Sequence, residues 1–278
     1  MAFNRILIAN RGEIAIRLAR AIADCEATSV AVYAEDDAQS LHVRSADQAI
    51  ALQGQGVAAY LDAAQLIRIA KEQNCDAIHP GYGFLSENAD FARACEQAGI
   101  TFIGPAPEVL DTFGDKASAR RLALQQGVPL TQGTNEPTTL EQARDFMQSL
   151  GDGAAVMLKA LAGGGGRGMR AVHDLAELDD AFARCSSEAT AAFGRGDLYV
   201  ERLIRRARHI EVQIIGDGSE VAHVWERDCT LQRRNQKLLE VAPAPSLDPA
   251  VRKQLHEAAC TLTRAVGYRG LCTVEFLL

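Results

Sequence analysis

Val156-Met157-Leu158-Lys159-Ala160-Leu161-Ala162-Gly163-Gly164-Gly165-Gly166-Arg167-Gly168-Met169-Arg170-Ala171-Val172 reads as two short strands joined by a loop of bare backbone amides. Consecutive glycines reach positive φ and bring N–H groups close to an anion, and Lys159 and Arg167 place full charges beside them. A glycine-rich run is elsewhere only a flexible loop. Here a lysine sits inside the preceding strand, which favours a phosphate flap. The wording is neither a Walker loop, which needs Gly-Lys-Ser/Thr opening a helix, nor the G-x-G-x-x-G of dinucleotide folds. A glycine hairpin of this kind belongs in a small α+β lobe.

The surroundings are mixed in charge, with a formal net charge of -7 over 278 residues. That balance argues against nucleic acid as the main partner, because phosphate backbones ask for a net basic face. The seven cysteines are scattered and form no C-x-x-C pair, as expected of a reduced, cytoplasmic protein without a zinc site or disulfide frame. The sequence holds no apolar run of about 18 residues and no signal-peptide core at its start, so neither a membrane span nor secretion is expected.

Upstream of the hairpin, the pattern is α/β. Arg5 to Asn10 is a short apolar run that turns at Arg11-Gly12-Glu13 into an amphipathic stretch ending near Asp24. Strands are expected at Ser29–Ala34, Gln48–Leu52, Asp76–His79 and Ile100–Gly104, with a helix from Leu61 to Gln73. Alternation of this kind implies a parallel, Rossmann-like sheet. His79 to Asn88 is a glycine-punctuated loop in which Ser86 is placed to cap the next helix. It reads either as a structural turn or as part of a lobe interface. Lys116 opens a helix that runs through Leu124, where a cation opposes the helix dipole, a placement that slightly favours a nearby anion.

Downstream, Thr139–Leu150 and Leu175–Ala192 read as helices and Leu198–Leu203 as a strand. Glu201, Arg202, Leu203 and Ile204 leave that strand for an irregular segment, whose backbone groups suit the edge of an adenine base or belong to an ordinary edge strand. In Arg208 to Gln213, period-two alternation puts His209, Glu211 and Gln213 on one face and Ile210, Val212 and Ile214 on the other, a cleft wall or a solvated face. Glu226 to Lys237 concentrates cations among Asp, Gln and Asn before an apolar strand Leu238–Val241. That is a solvated charge run or a site for a small oxyanion. After a break at Ala242 to Pro245, a helix from Pro249 to Val266 and a strand from Arg269 to Leu278 are expected. Glu275 sits between Val274 and Phe276, where a carboxylate is costly unless it meets a cation or metal, so it is a magnesium-ligand candidate.

Taken together, IANRGEIAIR (8–17), HPGYGFLSEN (79–88), GDK (114–116), KALAGGGGRGM (159–169), RHIEVQ (208–213), ERDCTLQRRNQK (226–237), APAP (242–245) and GYRG with TVEF (267–276) closely resemble biotin carboxylase, of the ATP-grasp superfamily. The resemblance covers essentially the whole chain. It implies an N-terminal biotin carboxylase domain over 1–114 and an ATP-grasp domain over 115–278, incomplete at its end, with a small lobe at about 130–204. It further implies ATP-dependent carboxylation of biotin by bicarbonate through carboxyphosphate. The rival readings are another carboxyphosphate-forming ligase, such as a carbamoyl phosphate synthetase, and a non-catalytic nucleotide-binding or scaffolding module.

Carried onto this sequence, the resemblance puts ATP on Lys116, Lys159, the flap residues Gly164, Gly165 and Gly166, the segment Glu201, Arg202, Leu203 and Ile204, and on His209, Gln232, Asn235 and Glu275. Glu275 would hold magnesium, with manganese as the alternative ion, and Lys237 would hold bicarbonate. The implied partners are a biotin carboxyl carrier domain or protein, a carboxyltransferase subunit, and a second copy at Arg17 and Arg20. Two departures stand out. Asn235 replaces a family histidine, keeping a hydrogen-bonding group but losing a titratable one. The sequence also stops at Leu278, before the family's second magnesium glutamate, catalytic arginine, glutamate base and C-terminal domain, so an exposed edge strand and a catalytically incomplete chain are expected.

Overall fold

In the run Arg5–Ile8 the last three residues are buried, and this strand (β1) is the centre of a five-stranded parallel sheet. The computed structural model describes residues 3–134, 136–151, 153–161, 168–233 and 236–278, in two units, Met1–Asp111 and Thr112–Leu278. In the first unit, β1 leads through α1 (Gly12–Asp24) to β2 (Thr28–Tyr33) and β3 (Gln48–Ala51). There follow α2 (Gly56–Tyr60), α3 (Ala63–Glu72), β4 (Ala77–His79), α4 (Ala89–Gln97), β5 (Thr101–Phe102) and α5 (Pro107–Gly114). The strand order is β3-β2-β1-β4-β5. Alternation along the strands divides the core. Leu7, Val30, Val32 and Ile78 pack with Leu66 and Ile69 of α3 and Phe91 of α4, whereas Ile6, Ile8 and Ala77 pack with Ala15, Ala19 and Ile22 of α1. Helices on both faces are what a parallel sheet of buried apolar strands requires.

Ligands of such sheets bind where the strand order reverses, here between the ends of β1 and β4. In this chain that crevice is closed. The buried Asn10 side chain donates to Pro80 O at 2.7 Å and Tyr82 O at 3.0 Å. Gly81, at φ +68°, lies so near that an added Cβ would stand 2.6 Å from Ile14 Cγ2. The structural-turn reading of His79–Asn88 therefore has a physical basis. Ser86 is not the cap of the following helix: Asn88 is, its side chain accepting from the Phe91 amide. The helix expected from Leu61 begins instead at Ala63, because the Asp62 carboxylate accepts the Gln65 amide and fixes the start of α3 there.

The second unit contains α6 (Lys116–Gln125), α7 (Leu140–Ser149), β6 (Val156–Ala160), β7 (Met169–Val172), α8 (Leu178–Phe193), β8 (Leu198–Arg202), β9 (His209–Asp217), β10 (Val221–Arg233), β11 (Gln236–Val241), α9 (Pro249–Arg264) and β12 (Arg269–Leu277). β6 and β7 pair antiparallel as the expected hairpin and β8 adds on the other side of β6, giving the order β7-β6-β8. Val156, Leu158, Ala160 and Val200 face α7 and α8, and Thr139 and Gln142 form a reciprocal capping box at the start of α7.

A four-stranded antiparallel sheet follows, ordered β11-β10-β9-β12. Its Ile210, Val212, Ile214, Cys272, Val274 and Phe276 cover Leu255 and Ala259 of α9, which leaves the opposite face for polar residues. The charge run Glu226–Arg233 lies within β10, and Leu238 and Leu239 of β11 are 68% and 52% exposed rather than core. Among the described residues β12 is an edge strand of this sheet.

Candidate active site

Alternation along β6 sends Val156, Leu158 and Ala160 into the core and Lys159 to the other face. There Lys159 lies opposite Tyr199 on β8, with Glu201 two residues farther on and on the same face. Helix α6 reaches this region through the apolar contacts of Ala117, Leu161 and Tyr199. Lys116 and Arg120, one turn apart on α6, therefore join Lys159. The Lys159 ammonium is in contact with the Glu201 carboxylate, Arg120 Nη1 stands 3.6 Å from Glu201 Oε2, and Lys116 Nζ donates to Ala160 O at 3.0 Å.

Two cations thus share one carboxylate with a third close by, in a place where the Lys159 and Arg120 side chains are 20% and 12% exposed. Burial first, then the neighbouring Lys116 and Arg120, push Lys159 down to about 8, with Glu275 acting the other way. Glu201, in contact with the ammonium, also favours the charged form. Burial lowers Lys116 and Arg120 as well. Such an excess of partly desolvated positive charge is a site for a polyanion.

The polar face of the second sheet carries the other cluster. His209 and Glu211 come from β9, Arg227 and Gln232 from β10, Lys237 from β11 and Glu275 from β12. Cross-strand register puts Glu275 opposite Glu211, and Glu211 opposite Arg227. Glu211, 2% exposed, accepts from Arg227 Nε at 2.6 Å and from the Lys237 ammonium, which also donates to Glu275 at 2.8 Å. Burial would raise Glu211, but these two cations hold it below the usual carboxylate range. Lys237 is pushed up, because its two carboxylates outweigh its burial.

His209 and, against the effect of burial, Lys237 bring Glu275 down to about 2. His209 Nε2 is buried 3.4 Å from Glu275, at the long end of hydrogen-bond reach. On the other side of the ring, the Gln232 amide meets Nδ1 at 2.7 Å. With that amide donating, the ring proton lies on Nε2 and His209 presents a donor rather than a metal-ligating lone pair.

The ligand atoms of His209, Glu211 and Glu275 all lie within 4.8 Å of one another. Two carboxylates with a cation already between them suit a hard divalent ion, and the donor imidazole suits an oxyanion beside it. Glu211, Cys229 and Glu240 form a second such group, in which burial and then Glu211 push the Cys229 thiol up to about 11 and keep it protonated.

The residues singled out in the sequence gather around these two clusters unevenly. Lys116, Lys159 and Glu201 meet in the first, and His209, Gln232, Lys237 and Glu275 in the second. The Glu201 side chain turns to Lys159, while Arg202 is exposed and Ile204 is 36% exposed. The Arg202 and Leu203 amides donate to Gln132 O and Ala155 O, so these two donors are used within the fold. Gly164, Gly165, Gly166 and Asn235 lie outside the described residues.

Two participants were not singled out: Arg120, which its spacing of four from Lys116 could have flagged, and Arg227, hidden within the charge run.

Residues 2–110 match the family model described as biotin carboxylase, N-terminal domain, and residues 115–278 match that of the carbamoyl-phosphate synthase L chain, ATP binding domain. Pyruvate carboxylase 1 of Caenorhabditis elegans is 52% identical over 99% of this chain and 24% of its own length. The chain therefore spans about a quarter of the curated relatives it matches. Among solved structures, a Campylobacter jejuni biotin carboxylase in a complex with an ATP ligand superposes with a TM-score of 0.96 at 43% identity, covering 99% of this chain and 62% of that one. The biotin carboxylase domain dimer of Hydrogenobacter thermophilus 2-oxoglutarate carboxylase, in complex with MgADP, ADP and bicarbonate, gives 0.93 at 41% identity, covering 100% and 61%.

Proposed function

The chain belongs to the biotin carboxylase family, and from that premise we propose that it supplies the nucleotide-binding part of an ATP-dependent carboxylation of biotin with bicarbonate. The observation that carries this reading is the clustering of Lys116, Arg120 and Lys159, the last two on the single carboxylate of Glu201 and the first on the carbonyl of Ala160. Lys116 and Lys159 bind and orient the phosphates of ATP, Gly164, Gly165 and Gly166 serve as further phosphate ligands, and Glu201 to Ile204 line the adenine. A bicarbonate oxygen held by Lys237 attacks the γ-phosphorus, the bond to ADP breaks, and carboxyphosphate forms. It collapses to carbon dioxide and phosphate, the phosphate takes the ureido N–H proton of biotin, and the freed nitrogen attacks the carbon dioxide.

Positioning and charge neutralisation are what this chemistry asks of a protein, and both clusters provide them. Magnesium, or manganese in its place, would be held by Glu275 with Glu211 close by, and would neutralise charge on the transferring phosphoryl group. His209 donates toward the nucleotide, a role its buried Nε2 fits. Gln232 sets the tautomer of that ring.

The biotin is carried by a separate domain or protein and the carbon passes on to a carboxyltransferase. Arg17 and Arg20, exposed on α1, are the contact for a second copy. A reduced cytoplasmic setting accords with seven free cysteines, and none of the described helices is long and apolar enough to cross a membrane.

Calorimetry with MgATP on this chain and on Lys159→Ala tests the reading. Binding by the wild type, weakened about 10- to 100-fold by the loss of one charge-assisted contact, is expected. A folded wild type without MgATP binding would refute it. The matched ATP-binding model also fits a carbamoyl-phosphate-forming ligase. ATP cleavage that depends on ammonia rather than biotin, in a polypeptide containing this segment, would favour that alternative.

A further inference from the structure

Lys159 is already committed: its ammonium is in contact with Glu201 Oε1 on the neighbouring strand. A phosphate that draws Lys159 toward itself weakens the hold on a carboxylate that is only 8% exposed, and an unpaired charge at that depth is strongly disfavoured. A second cation within reach of Glu201 removes the difficulty. Arg120 is that cation, with Nη1 3.6 Å from the other carboxylate oxygen, Oε2. Its Nη2 is anchored on Thr131 O at 2.9 Å and its guanidinium lies over the Tyr199 ring at 6.0 Å. A shift of less than about 1 Å would turn the 3.6 Å approach into a hydrogen bond. Lys116 is placed differently, with its Nζ on Ala160 O.

We infer that Arg120 is a positioning residue that takes over the Glu201 carboxylate and so releases Lys159 to the phosphates. The inference rests on the nucleotide reading given above. It makes Glu201 a carboxylate shared between two cations rather than a fixed partner of one. It also makes Arg120 act through Glu201 on phosphate binding and not on recognition of the base. Without Arg120, a phosphate that draws Lys159 away would leave the buried carboxylate without a second cation.

The test is calorimetric titration of the wild type, Arg120→Leu, Arg120→Lys, Glu201→Gln and the Arg120→Leu/Glu201→Gln double variant with MgATP and with adenosine. Thermal melting confirms that each is folded. Arg120→Leu is expected to weaken MgATP about 10-fold and leave adenosine unchanged, Arg120→Lys to recover most of the loss, and the Arg120→Leu effect to fall below about 3-fold in the Glu201→Gln background. An equal loss in both backgrounds overturns the inference, because Arg120 would then act only as a further positive charge. Unchanged MgATP affinity in Arg120→Leu also overturns it, and should Glu201→Gln not fold, failure of Arg120→Lys to recover binding does the same. Absence of MgATP binding by the wild type would instead overturn the nucleotide reading, and this inference with it.

Discussion

Replacing Glu226 by alanine perturbs the back of the second sheet at a single buried charge. Glu226 is fully buried, and its Oε1 accepts from Arg252 Nε at 2.9 Å and the Ala244 amide at 3.2 Å. Its Oε2 meets His256 Nε2 at 2.6 Å. The carboxylate therefore ties β10, the Ala242–Pro245 segment and α9 together. Burial would raise it, but the His256 and Arg252 hydrogen bonds win and hold it below the usual range.

Breaking a buried pair by removing one partner costs about 3–5 kcal/mol. Arg252 keeps 25% exposure and can regain water, whereas His256 keeps 10%, so we expect the lower end, about 3 kcal/mol. Glu226→Gln preserves the shape but aims an amide donor at one of three donors, for a loss of about 2 kcal/mol.

Urea denaturation of the 278-residue chain measures both variants, with an unchanged m-value as the sign that the native state is intact. Because the folded carboxyl is depressed, its contribution is present above the ordinary value of 4.5 and is lost as the pH falls below it, so the wild-type advantage should shrink in acid. A loss under about 1 kcal/mol at neutral pH would refute the argument that this network is a buried, mutually dependent unit.

Glu275, depressed to about 2, should likewise contribute stability above 4.5 that fades between 4.5 and 2. Its side chain is 54% exposed, so the wild-type advantage over Glu275→Gln is expected to be only about 1 kcal/mol at neutral pH, and a difference that does not narrow in acid would contradict the assignment. Arg227→Met leaves the buried Glu211 with Lys237 as its cation, and a destabilisation of about 2 kcal/mol by urea titration is expected, with no change counting against the pairing. Gly81→Ala forces a side chain into positive φ and against Ile14 and Asn10. A loss of about 2 kcal/mol, seen as a melting point several degrees lower, is expected, and an unchanged melting point would show the crevice to be open.

Alternation and glycine placement determined much of this protein from the sequence alone. The strand of Leu7 and Ile8, the hairpin around Lys159 and the polar face of His209, Glu211 and Gln213 all follow from side chains that must point to opposite sides of a strand every second residue. The lysines of the first cation cluster were legible because a cation inside an apolar strand or at a helix start needs a reason to be there. Local capping was less legible. Ser86 and Asn88 are both good caps by type, and that Asn88 caps α4, as Asp62 caps α3, depends on where each helix can pack.

What the tertiary structure decided is the pairing of charges that are distant in sequence. Glu201 read as the start of a base-binding edge, and the fold turned its carboxylate to Lys159 and Arg120, 42 and 81 positions away by residue number. Glu226 and Arg227 are neighbours in one charge run, yet β10 sends the first to α9 and the second to Glu211 on the opposite face. Leu238 and Leu239 read as part of an apolar strand, and that strand leaves them exposed, because apolarity states a preference for burial and only packing supplies the surface that satisfies it. Period and propensity are local properties and can be read from a string of residues. Desolvation and ion pairing depend on distances across the fold, so the chemistry of this site was fixed only when six strands and one helix brought its residues together.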